Sequence, residues 1–201
     1  MTTKSIGLVA VCALALTGGA STVSAQASAP TPAIAQGPAI PGLCIMSVEQ
    51  AAATSTVGQY VLNRLNQLGQ QVKAELGPED AAIGADVKAF DATRATLDPA
   101  TLKSRGEALQ ARYQGLQQKA SLRQQELEAT QKKAFNRISQ ELQPVVQQIY
   151  QQRHCSVLLN KEAVIIPNPS IDLTAEAVTA LNGRIQQFAF DREHLDTAPP
   201  K

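Results

Sequence analysis

Leu97-Asp98-Pro99-Ala100 is the stretch on which the reading of this chain turns. It divides the polar run from about Thr54 to His154 into two long helical segments that fold back on each other. Asp98 is a good helix cap, and Pro99 suits a first helical position because its missing N–H would be unsatisfied there anyway. Before the turn, apolar residues fall at Leu65, Leu68, Val72, Leu76, Ile83, Val87, Phe90 and Leu97. After it they fall at Leu102, Leu109, Tyr113, Leu116, Ala120, Leu127, Ala134, Ile138, Leu142, Val145 and Ile149. Steps of three, four and seven describe one narrow seam on each helix. The first arm, Val57 to Leu97, spans roughly 60 Å and the second, Pro99 to about Arg153, roughly 80 Å. Pro78 predicts a kink or a fresh helical start, and Pro144 a second kink. The seam thins where Ala120, Arg123 and Ala134 stand in place of Leu, which predicts bending and fraying. Glu126 and Glu128 read as solvated charges.

The flanks are short. In residues 1–25, Lys4, the apolar run Ile6 to Leu16 and the small residues before Val23-Ser24-Ala25 have the pattern of a cleaved secretory signal peptide. The run is too short for a typical membrane span. Residues 26–41 are rich in Ala, Pro and Gly without charge or periodicity, and predict a disordered tether. Leu43-Cys44-Ile45-Met46-Ser47-Val48 reads as a buried strand, followed by helix with a break near Thr54-Ser55-Thr56 and Gly58. Cys155 to Asn160 and Ala163 to Ile166 read as two strands of a hairpin around Asn160-Lys161-Glu162. Thr174 is the expected N-cap of a last helix whose apolar face carries Val178, Leu181 and Ile185. The domain plan is thus a head from residues 42–53 and 154–185, an arm over 54–153, and a frayed tail over 186–201.

Composition narrows the function. The chain of 201 residues has a net charge of +1, and a chain starting at Gln26 would carry 17 basic and 17 acidic residues. That balance gives no electrostatic case for nucleic acid. Aromatic residues are 3% and Trp is absent, so a large globular core is hard to build. No Gly-rich phosphate loop, G-x-S-x-G or H-E-x-x-H motif occurs. His154 beside Cys155 lacks the further ligands a zinc site needs, and neighbouring strand residues face opposite ways. Lys132, Lys133 and Arg137 read as an ordinary solvated helix face. Nothing here supports an enzyme, a metal or a cofactor.

The order of elements resembles the Skp/OmpH-type periplasmic chaperones. The resemblance covers about residues 42–185 and is carried by Cys155-Ser156-Val157-Leu158-Leu159-Asn160-Lys161-Glu162-Ala163-Val164, then Ile171-Asp172-Leu173-Thr174 and Leu181-Asn182, with Pro144-Val145 at the arm's base. It implies a mainly α fold with a small β head that closes a barrel on trimerisation, three helical-hairpin arms enclosing a cavity, and an ATP-independent holding activity toward unfolded outer-membrane β-barrel proteins. Leu76, Ile83, Val87, Phe90, Leu97, Leu102, Leu109 and Leu116 become the candidates for arm packing or client contact. Well-known members are strongly basic. The balanced charge here removes the usual basis for lipid or lipopolysaccharide contact.

Cys44 and Cys155 are the cysteines that remain after signal cleavage. An oxidising compartment, an even count and the expected placement of the second strand beside the first predict a disulfide between them. The alternative function is a coiled-coil spacer or adaptor in the same compartment, with its contacts concentrated at the Asp98-Pro99 tip.

Overall fold

A computed structural model describes residues 36–195. The expected signal peptide, tether residues 26–35 and tail residues 196–201 lie outside the described residues. Six elements follow in order: β1 (Leu43–Met46), α1 (Val48–Thr54), α2 (Thr56–Thr93), α3 (Pro99–Gln152), β2 (Val157–Asn160) and α4 (Thr174–Arg184).

The arm forms as its sequence dictates. Asp98 Oδ1 accepts hydrogen bonds from the N–H groups of Ala100 and Thr101, each at 3.0 Å, and Pro99 is the first residue of α3. A short 3-10 turn, Arg94–Thr96, brings α2 to this tip. Both long helices run through their prolines, so the fresh start expected at Pro78 does not occur. Pro78 removes one bond from a helix of 38 residues at an exposed position, where the freed carbonyl is open to solvent and the remaining ladder holds.

The break before α2 is a close approach. Ser55 Oγ accepts from the Gly58 N–H at 3.1 Å and donates to the Ala52 carbonyl at 2.7 Å. A Cβ on Gly58 would lie 1.9 Å from the Ala52 oxygen, so the chain can turn from α1 into α2 here only without a side chain.

The head differs from the expected hairpin. β1 and β2 pair in parallel, with Leu43 opposite Val157, Cys44 opposite Leu158, Ile45 opposite Leu159 and Met46 opposite Asn160. Residues 163–166 do not return along β2. A 3-10 turn over Lys161–Ala163 carries the chain away, and Ala163-Val164-Ile165-Ile166 forms no strand. A three-residue connection makes a hairpin only if its backbone reverses the chain, and this one coils instead. On its other side β1 meets Asp172, and the Ile45 carbonyl accepts the Leu173 N–H at 2.9 Å. Thr174 is not the N-cap of α4. Asp172 Oδ1 takes its N–H at 2.9 Å, and the Thr174 hydroxyl accepts the buried Ser47 N–H at 3.0 Å, tying α4 to α1.

Cys44 and Cys155 form a disulfide with their Cα atoms 5.9 Å apart. His154 sets this up. It takes a left-handed φ of 52°, its N–H reaches the Gln151 carbonyl, and the Cys155 N–H reaches the Tyr150 carbonyl. This closing turn stops α3 and swings Cys155 back toward β1. Around the bridge lies one core: Met46, Ala51, Ala52, Val57, Val61, Ala134, Ile138, Leu142, Val145, Ile149, Leu173, Ala177 and Leu181 are all buried in it. Replacing Cys44 and Cys155 together by Ala should lower the unfolding free energy by about 3–5 kcal/mol, because the bridge closes a loop of over a hundred residues. Urea denaturation followed by circular dichroism reads this, with native helix content expected unchanged.

Candidate functional site

The arm is packed unevenly along its length. Near the head, Val57, Val61, Leu68 and Val72 of α2 are buried, as are Ala134, Ile138, Leu142, Val145 and Ile149 of α3. Toward the tip, the apolar residues fully buried are Ile83 and Leu116. Leu76, Phe90, Leu97, Leu102 and Leu109 are half-buried, and Val87 is exposed. Of the eight candidates, Ile83 and Leu116 are therefore buried, and the other six are partly or fully exposed. Phe90 and Leu109 line an open groove of ≈ 340 Å³ with Ala89, Ala108 and Thr93, rimmed by Asp86, Arg105 and Arg112. Two ion pairs join the helices there, Asp86 with Arg112 and Glu79 with Lys119. Exposed pairs of this kind contribute only about 0–1 kcal/mol each.

At mid-arm the seam becomes polar, and the packing is tight. Glu126, expected to be solvated, is 0% exposed. Its Oε1 accepts from Arg123 Nη1 at 3.0 Å and from the Leu195 N–H at 3.2 Å. Arg192 Nε lies 3.2 Å from Glu126 Oε2, close enough to pair as charges though not aligned as a hydrogen bond. Glu75 on α2 takes Arg123 Nε at 2.8 Å on one oxygen and Arg192 Nη1 at 2.9 Å on the other. Two carboxylates and two guanidiniums thus form a neutral ring. Glu128 is exposed, as expected, and accepts from Gln124.

Arg192 comes from the tail. Residues 186–195, expected to fray, leave α4 and run along the arm as a strap. Phe188 and Phe190 pack against the core cluster, Phe190 meeting Tyr60 edge-on. Arg64 of α2 reaches the Phe190 carbonyl and the Asp191 carboxylate, each at 3.4 Å. The Glu193 N–H donates to Thr130 Oγ1 at 2.9 Å, and Lys133 pairs with the Glu193 carboxylate at 2.8 Å. Of the basic trio read as a solvated face, Arg137 also has a partner, Glu141 at 2.7 Å. The burial pattern of α3 reflects the strap. Glu126, Thr130, Ala134, Ile138 and Leu142 are buried at successive steps of four, and each such step turns about 40° around a helix. Over that stretch the buried face turns by about 160°, more than one partner helix covers.

The head leaves one apolar side open. Val157 and Leu159 of β2 are 47% and 42% exposed, Ile166 is 61% exposed and Ile165 is 98% exposed. β1 is the strand paired with β2, so the far edge of β2 carries backbone groups without a strand partner among the described residues.

Residues 42–181 match the family described as Outer membrane protein (OmpH-like). The chain belongs to that family. A crystal structure from Caulobacter crescentus, named as an outer membrane chaperone (OmpH-like), is similar to it at 45% identity, covering 82% of this chain and 97% of that one with a TM-score of 0.72. Comparison with curated proteins gave no match. The OmpH-like match ends within α4, so the strap lies beyond it. Among the described residues no group of three His, Cys, Asp or Glu could hold a metal ion, and no helix is long and apolar enough to cross a membrane.

Hydrogen bonds from Arg123 and then Arg192 hold the Glu75 carboxyl below its ordinary value of 4.5. Arg184 does the same for Glu141. Burial works against ionisation of Asp172, but Lys161 and Thr174 outweigh it and its value is also lowered. A folded-state value below the unfolded one stabilises fully above the unfolded value and is lost as pH falls through the folded one. The urea midpoint should therefore hold at neutral pH and fall as the solution is taken below about 4.5, and Glu75→Gln should shrink that fall. Glu126→Ala leaves Arg123 and Arg192 with the single Glu75 carboxylate between them at a mostly buried site and should cost about 3 kcal/mol at pH 7, read by the same denaturation.

Proposed function

We propose that this OmpH-like protein is an ATP-independent holding chaperone of the periplasm, acting as a homotrimer whose arms surround unfolded outer-membrane β-barrel proteins. The observation that carries the reading is the distal arm. There, half-buried Leu76, Phe90, Leu97, Leu102 and Leu109 and exposed Val87 sit on a two-helix hairpin with little else holding it. A client must be shielded and later released. Each apolar side chain that a client covers gains on the order of 1 kcal/mol, so many such contacts hold a chain while no single one traps it. Arms joined by exposed ion pairs can follow clients of different outline. Holding of this kind needs no bond chemistry. The resemblance to a protein named as an outer membrane chaperone supports the client class, and the leader-like residues 1–25 support export.

Self-association is supported by the open side of the head. An unpaired β2 edge beside exposed Ile165 and Ile166 is a surface that a lone chain leaves wet, and pairing with further copies would cover it. Ile165→Asp should convert the trimer to monomer with native helix content retained, read by sedimentation velocity and circular dichroism.

The functional test is sedimentation of the chain from Gln26 onward, alone and mixed with a urea-diluted outer-membrane β-barrel protein. A trimer forming a discrete soluble complex is the expected result. A well-folded protein that leaves the client to aggregate would overturn the chaperone reading in favour of a spacer working through its Asp98-Pro99 tip.

A further inference from the structure

The strap joins both arm helices at one level. On α2 it holds Arg64 and Glu75, and on α3 it holds Glu126, Thr130 and Lys133. Splaying the helices at that level would pull Glu75 away from Arg123 and expose Glu126, whose carboxylate has 0% exposure and three partners supplied by Arg123, Arg192 and the Leu195 amide. Desolvated charges resist being parted from their partners far more strongly than exposed pairs do. Tipward of the ring, the fully buried apolar residues of α2 and α3 are Ile83 and Leu116, and the rest of the seam is half-buried or carried by exposed ion pairs. Packing between the two helices therefore thins beyond Glu75 and Arg123.

We propose that the strap sets the point about which the arm opens, with Arg192 as its positioning residue, and so fixes how large a client the distal arms can admit. The proposal rests on the chaperone reading for its consequence, though not for its mechanics. From Glu75 to the tip at Asp98 is roughly 35 Å of helix, against roughly 60 Å from the start of α2. For one opening angle, a hinge at the ring moves the tip a little over half as far as a hinge at the head. Arg192 suits the role because its planar fork reaches the Glu75 and Glu126 carboxylates together, which the single ammonium of Lys does not reproduce. The ring is neutral and its carboxylates already have partners, so it offers little to a client and acts on binding through the arm's shape.

The test is amide hydrogen exchange on the free trimer of the full mature chain, Arg192→Gln, Arg192→Lys and a chain ending at Ile185. In the parent, residues 64–76 and 123–137 should exchange at least tenfold more slowly than residues 83–116. Arg192→Gln and the shortened chain should speed exchange at 64–76 and 123–137 by about tenfold, leaving 83–116 and head residues 43–52 unchanged. Arg192→Lys should fall between. Complexes with β-barrel clients of increasing chain length, followed by sedimentation, should then extend to longer clients in Arg192→Gln. Unchanged exchange at mid-arm would overturn the proposal, and so would acceleration spread evenly through arm and head, since that reports general destabilisation. If the shortened chain does not fold, Arg192→Gln decides. A parent that holds no client at all while the exchange pattern follows expectation overturns the chaperone reading and leaves the hinge in place.

Discussion

The parallel pairing of β1 with β2, stapled by Cys44–Cys155, is the constraint on which the rest depends. A strand of four residues paired with one neighbour is not stable alone. Here it is embedded: the disulfide locks its register, the Leu173 amide extends it on one side, and the bases of α2 and α3 pack over it. Parallel strands need a long crossover, and the entire helical hairpin is that crossover. Bringing the strands together therefore forces the two ends of the arm side by side at the head.

From that anchored base the arm loses support step by step. The first section has an apolar core shared with the head. The second has a buried ring of opposite charges closed by the returning tail. The third has a thin seam and surface ion pairs. Hydrophobic burial holds wherever water is excluded. The charge ring holds only in one arrangement of three segments, which makes it more selective than strong. Exposed pairs barely hold at all. One chain thus goes from closely to sparsely packed along its length while both helices continue.

The sequence made the arm readable because a helix shows its period, its caps and its turn locally. Asp98-Pro99 is one such case, and the seam through Leu68 and Val72 another. The cysteine pair followed from compartment, count and the expected placement of the strands. What misled was polarity in a helix. Glu126 and Arg123 look like solvent-facing charge, and only the arrival of Arg192, some seventy residues later, makes them interior. The supposed second strand of a hairpin at Ala163 to Ile166 was misread for a related reason. Apolar β-formers show that a segment needs cover, but not whether the cover comes from its own chain. The tail looked frayed because its aromatics and charges lack a helical period, and an extended strap has none to show.

The spacing of the two cysteines also bears on how the molecule comes into being. Cys44 and Cys155 are 111 residues apart, so a chain emerging from its N-terminus carries Cys44 as an unpaired thiol until the whole arm has followed. The contacts between α2 and α3 are nested around the Asp98 turn. Each pair that zips shortens the loop left for the next, and the entropic cost of closure is met in small steps. The arm is then the first part to mature and the head the last. Oxidation of the thiols becomes a record that the hairpin between them is complete.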